Sequence, residues 1–82
     1  MNLTGESLYI SLRTGVKRNG ESWFNAKFLD DSADEFFTLF IPEEVGRHLQ
    51  TLPKKTPVIL TMELVPGKNY VKFVALEVIK EN

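Results

Sequence analysis

The sequence predicts a small all-β domain with one helix, its elements in the order β-β-β-α-β-β. Three observations carry that prediction. Apolar and polar residues alternate with period two through five segments, the pattern of half-buried strands. One stretch breaks the pattern with helical spacing: Val45, Leu49 and Leu52 fall at i, i+4 and i+7. Two turn pairs, Asn19-Gly20 and Pro66-Gly67, separate alternating runs. With 82 residues, the chain has room for a single domain, residues 1–82, around one core.

The first strand is expected from Ser7 to Val16 and the second from Glu21 to Leu29. Asn-Gly is the preferred pair for a two-residue type I′ hairpin, which sets Val16 opposite Trp23 and Thr14 opposite Asn25. Continued unbroken, that register would put Leu12 against Lys27, an apolar residue on a polar face. One extra residue in the first strand restores Leu12 to Ala26 and Ile10 to Phe28. Gly15 is the natural site, because glycine tolerates bulge geometry. A β-bulge near Gly15 and a bent first strand are therefore expected. Leu8, Ile10 and Leu12 then face the core with Phe24, Ala26 and Phe28, while Tyr9, Ser11 and Arg13 face out with Trp23, Asn25 and Lys27.

The third strand spans Glu35 to Ile41. With Phe37, Leu39 and Ile41 inward, it sends Phe36, Thr38 and Phe40 outward. The helix opens at Pro42, whose missing N–H is not needed in the first turn. Glu43 and Glu44 follow, where negative charge is favoured, and Pro53 ends the element. Gly46 either weakens this helix by about 1 kcal/mol relative to Ala or permits close packing. The fourth and fifth strands run from Pro57 to Val65 and from Tyr70 to Lys80, joined through Pro66-Gly67-Lys68-Asn69. Leu64 then meets Val71, Met62 meets Phe73, and Leu60 meets Ala75 on the inner face, while Glu63 faces Lys72 on the outer one. Past Ala75 the alternation weakens. Leu76, Val78 and Ile79 imply burial on both sides or a change of partner. This order lets a five-stranded Greek-key barrel close with the helix across one end, the first strand pairing with both the second and the fourth. Closure also removes exposed edges.

Composition narrows the function. Hydrophobic residues are 43% and charged residues 26%, as in an ordinary soluble domain. With no cysteine, disulfides, thiolate metal sites and cysteine nucleophiles are excluded. A single histidine, His48, lacks a partner for a catalytic dyad or a metal site, so no enzyme activity and no cofactor or metal is expected. Asp30, Asp31, Asp34 and Glu35 offer oxygen ligands, but read more simply as a solvated loop. No run approaches the ~20 apolar residues of a membrane helix, and Met1 to Ile10 carries no secretory signal. A cytoplasmic protein without membrane contact is expected.

Two segments carry the family resemblance. Lys72-Phe73-Val74-Ala75-Leu76-Glu77-Val78 looks like the final strand of the bacterial and phage single-stranded-DNA-binding proteins (SSB), which are OB-folds. Gly20-Glu21-Ser22-Trp23-Phe24-Asn25-Ala26 is similar to their second strand, where an aromatic often sits on the ligand face. The topology resembles that family over nearly the whole chain. The short loop at 66–69 and an end at Glu81-Asn82, without an acidic-tipped tail, point to a minimal phage or mobile-element type. The resemblance implies binding of single-stranded DNA in replication, recombination or DNA transfer.

The residues support that expectation independently. The outer face interleaves aromatics, which stack on bases, with cations, which track phosphates. Tyr9, Arg13, Trp23, Asn25, Lys27, Phe36 and Thr38 are the candidates there, with Phe40 either beside them or in the core next to the helix. Lys17 and Arg18 in the first hairpin loop, and Lys68, Tyr70 and Lys72 around the last, would flank this face, as the corresponding loops do in OB-folds. The net charge of −1 conceals this segregation. Residues 13–27 hold four basic residues and one acid, a net of +3. Residues 28–46 hold six acids and no base, and residues 47–82 hold six basic residues and three acids, again +3. Glu6 supplies the remaining negative charge. RNA is an alternative ligand, since a sequence-tolerant stacking face does not read the 2′-hydroxyl. The competing expectation is a protein–protein module whose aromatic face is an oligomer interface. A dimer or tetramer of the chain is compatible with both readings.

Overall fold

The structure is a computed structural model that describes residues 2–79. It contains β1 (Asn2–Val16), β2 (Ser22–Asp30), β3 (Glu35–Ile41), α1 (Glu43–Leu49), β4 (Thr56–Leu64) and β5 (Val71–Val78), in the expected order. The strands form one antiparallel sheet, ordered β3-β2-β1-β4-β5. β1 is its hub, pairing with β2 through its C-terminal half and with β4 through its N-terminal half. It begins at Asn2 rather than Ser7, because Asn2 to Tyr9 take their ladder from β4, a partner far away in sequence. Gly5 and Glu6 have little strand propensity of their own. The expected last residue of the fifth strand, Lys80, lies outside the described residues.

The first hairpin differs from expectation in a consequential way. Lys17 N–H donates to the Glu21 carbonyl at 2.7 Å, and Gly20 N–H donates to the Lys17 carbonyl at 2.9 Å. Only Gly20 of this loop takes a left-handed backbone, with φ +88°. This is a three-residue loop, a tight turn followed by a left-handed glycine, in place of the two-residue turn. The extra residue that the apolar faces require is thus supplied inside the turn. Pairing then runs unbroken from Val16 opposite Ser22 to Ser11 opposite Lys27, so there is no bulge at Gly15.

The register shift falls instead at Ile10, between the Tyr9–Phe28 and Ser11–Lys27 pairs. A one-residue shift exchanges the two faces of a strand. Tyr9 therefore turns inward, is only 5% exposed and meets Phe28 edge-to-face at 6.3 Å. Ser7 is buried with it, while Leu8 and Ile10, expected in the core, are half-buried. Leu12 still opposes Ala26, as expected.

The second hairpin keeps the expected register next to its turn: Leu64–Val71, Glu63–Lys72 and Met62–Phe73. A second shift at Val74 then pairs Thr61 with Ala75, and Leu60 with Leu76 rather than with Ala75. This explains the weakened alternation, since the extra residue brings Leu76 and Val78 round to pack against the core. Leu64, expected inside, is 42% exposed because it ends β4 beyond the packed region.

The barrel does not close. β3 and β5 are the two edges of an open sheet, with no ladder between them, although their Cα atoms approach to within 8 Å. The core lies inside this curl. Phe24, Ala26 and Phe28 of β2 pack with Leu39, Ile41, Val58, Leu60 and Tyr9, and Phe37 stacks on Phe28 at 5.6 Å. α1 caps one end with Leu49 fully buried and Val45 and Leu52 partly so. The helix is shorter than expected and ends before Pro53, with the Thr51 hydroxyl donating to the His48 carbonyl at 2.7 Å. Gly46 is where helix and sheet touch. A Cβ there would lie 2.5 Å from the Phe24 ring, so the glycine serves close packing. No helix among the described residues is long and apolar enough to cross a membrane.

Candidate nucleic-acid interface

Unbroken registers in β1–β2 next to the turn and throughout β2–β3 fix the outer face of this half-sheet. Arg13 pairs with Asn25 and Ser11 with Lys27 across one ladder. Asn25 pairs with Phe40, Lys27 with Thr38 and Leu29 with Phe36 across the next. Because Phe24, Ala26, Phe28, Leu39 and Ile41 are buried, their alternating neighbours point the other way. One surface thus carries Arg13, Trp23, Asn25, Lys27, Phe36, Thr38 and Phe40.

Two of the aromatics on it are open and Trp23 is half-buried. Phe36 is 57% and Phe40 68% exposed, which places Phe40 on this face and not in the core. Large exposed aromatics on a sheet face are unfavourable in water and mark a surface that something covers. They form two groups. Trp23 stands edge-to-face to Phe40, ring centroids 6.3 Å apart at 75°. Lys27 Nζ lies 4.7 Å from the centre of the Phe36 ring, a cation–π contact. Each group therefore offers aromatic surface with a cation near it. Lys17 supplies that charge for the first group, lining a slot with Ser22, Trp23, Phe24, Phe40 and Ile41. Its Nζ lies 3.9 Å from Glu21 Oε2, both side chains largely in water, so the pair is weak and the ammonium is free to move. Arg18 is exposed at the tip of the same loop.

The last hairpin joins this surface across the open edge of the sheet. A cleft of about 960 Å³ runs between β3 and β5. Asn25, Thr38 and Phe40 line one wall, and Lys68, Tyr70 and Lys72 the other. Tyr70 is 52% exposed. Lys68 is held by a turn in which its N–H donates to the Val65 carbonyl at 3.2 Å. Eleven of the twelve sequence candidates, all but Tyr9, thus lie on one face, in its bordering loop or along one continuous cleft.

Tyr9 is the exception. The shift at Ile10 buries it on the opposite side of the sheet, away from this face. Burial raises its phenol pKa above the usual value of 10.0, because the ionised form loses its hydration. Gly15, expected to carry a bulge, lies on this candidate face instead. It pairs with Trp23, whose indole lies directly over it. The acidic loop is organised by itself: Asp30 Oδ1 accepts from the Ser32 hydroxyl at 2.8 Å and from the Ala33 N–H at 3.4 Å. Among the described residues, no three His, Asp or Glu side chains gather as a metal site.

Set against known proteins, the chain matches no family model, no curated protein and no solved structure.

Proposed function

We propose that this protein binds single-stranded nucleic acid, DNA in the first instance, by stacking bases on Trp23, Phe40, Phe36 and Tyr70 and holding phosphates with Arg13, Lys17, Lys27, Lys68 and Lys72. It acts by binding and not by catalysis. The observation that supports this most is the continuity of an exposed aromatic face with a cleft bordered by lysines. An OB-type barrel, left open between β3 and β5, is the architecture we assign to it. The long first strand shared by two partners and the helix between β3 and β4 favour that assignment. OB-folds are partly open barrels that take oligonucleotides on strands two and three and on the two hairpin loops described above. Protection or presentation of single strands in replication, recombination or transfer of a phage or mobile element is the corresponding role.

Trp23 is the chain's single tryptophan, so its fluorescence reports this face alone. Titration with oligo-dT at low salt is expected to quench it to saturation, and Trp23→Ala to weaken binding by about 1–3 kcal/mol. Absence of both quenching and a mobility shift at low salt would eliminate the reading.

The exposure of Phe40 and Phe36 on an edge strand also supports a second reading, in which this face is a subunit interface. Light scattering over a range of protein concentrations separates the two. The interface reading expects a dimer or larger species that Phe40→Ser dissociates, and the first reading expects oligo-dT binding by whichever species is present.

A further inference from the structure

We propose that Gly15 is a positioning residue of the nucleic-acid site, holding the Trp23 indole in place by having no side chain. The inference rests on the reading above for what the indole binds, and on packing alone for how it is held. Gly15 and Trp23 are cross-strand partners on β1 and β2. A Cβ built on Gly15 would lie 2.5 Å from Trp23 Cζ2, 2.6 Å from Cε2 and 2.7 Å from Nε1. Such distances are far inside van der Waals contact, so the indole occupies the volume that any other residue would fill. Those atoms lie where a Gly15 side chain would be, and in that position the indole stands edge-to-face to Phe40. One tryptophan is thereby held between a neighbouring strand and a neighbouring ring.

The obstructed atoms are the far end of a side chain, not backbone. A methyl group at position 15 would therefore displace the indole and leave the ladder in place. Gly15 has neither a turn nor a left-handed backbone to maintain, since pairing runs straight through it. Its conformational freedom is a cost in a strand, and the close approach of Trp23 is what accounts for it. A stacking group already fixed before the ligand arrives loses less freedom on binding.

The test compares Gly15→Ala with Gly5→Ala, a glycine on the same strand with open space where its Cβ would be. Three quantities are read: thermal melting, Trp23 emission and anisotropy decay in the free protein, and oligo-dT affinity. Gly15→Ala is expected to melt as a folded domain, to shift Trp23 emission to the red and to add a sub-nanosecond component to its anisotropy decay. Its affinity should fall by about five-fold or more, up to the loss caused by Trp23→Ala. Gly5→Ala should match the wild type in all three. Wild-type affinity in Gly15→Ala, with the wild type binding oligo-dT, would overturn this proposal and spare the proposed function. Failure of the wild type to bind oligo-dT would overturn both. Should Gly15→Ala not fold, the wild-type protein decides the packing claim. An indole held as proposed loses anisotropy at the tumbling rate of the whole domain, and a dominant sub-nanosecond decay contradicts it.

Discussion

Binding by this face should weaken with salt to an extent that follows from its cations. Arg13 and Lys27 lie among the aromatics, Lys17 borders the Trp23–Phe40 slot, and Lys68 and Lys72 line the cleft. Each phosphate neutralised on a single strand contributes about −0.7 to the slope of log affinity against log salt. Four to five contacts give a slope of about −3, so a ten-fold rise in salt costs about three decades of affinity. The net charge of −1 supplies no long-range attraction to steepen this further. Removing one contact has a defined signature: Lys72→Ala should flatten the slope by about 0.7 and weaken binding similarly for any sequence. Lys54, exposed beyond α1 and outside the face, is the control, and Lys54→Ala should leave the slope unchanged. Fluorescence titrations of oligo-dT at four or five salt concentrations measure all three proteins. A slope flatter than about −1, or equal effects of the Lys72 and Lys54 substitutions, would refute the assignment of phosphates to these lysines.

The remaining predictions concern the fold that presents the face. Tyr9→Ala removes a buried aromatic and should cost about 3–5 kcal/mol, a large share of the roughly 4–12 kcal/mol typical of a domain this size, as read by urea unfolding. Tyr9→Phe should leave oligo-dT affinity unchanged, since the phenol is on the wrong side of the sheet, and a loss of affinity at unchanged stability would contradict the burial. The same pair predicts a pH effect. The folded-state pKa is raised, so the wild type holds the full contribution of the neutral phenol below about pH 10. It loses that contribution as pH climbs through the folded value, and Tyr9→Phe should not share the loss. Gly46→Ala improves helix propensity by about 1 kcal/mol yet drives a methyl group into Phe24. Because the clash reaches the root of the Phe24 side chain, with Cβ at 3.0 Å as well as the ring, and Phe24 is buried in the core, a net fall in melting temperature is expected, and a rise would disprove the tight contact.

The residues of the candidate face were legible in the sequence wherever parity ran unbroken. Between β2 and β3 no residue is inserted, so burial of Phe37, Leu39 and Ile41 was enough to send Phe36, Thr38 and Phe40 outward. The order of elements and the turn of the second hairpin were readable for the same local reason. Tyr9 was not, because the shift at Ile10 lies where β1 passes from one partner to the other, and that point depends on β4, more than forty residues away. The sequence singles out Gly15 for its tolerance of bulge geometry, whereas the structure has no bulge there and fills the space beside it with Trp23. The correct cause becomes visible only once the first hairpin loop is given three residues, which places Trp23 opposite. Closure of the sheet was not readable at all. Alternation says which side of a strand is apolar and nothing about whether two edges meet within hydrogen-bonding distance.

The two inserted residues, Ile10 and Val74, also bear on kinship. Each shifts the phase of the alternating code, so every position beyond it carries the opposite face assignment. A relative built without one of these insertions would superpose well in space yet line up with this chain only through a single-residue gap at that position. Without that gap, Tyr9 would be matched to surface positions, and Leu76 and Val78 to outward ones. Kinship for such a chain is thus written in the spacing between its insertions as much as in the identity of its residues.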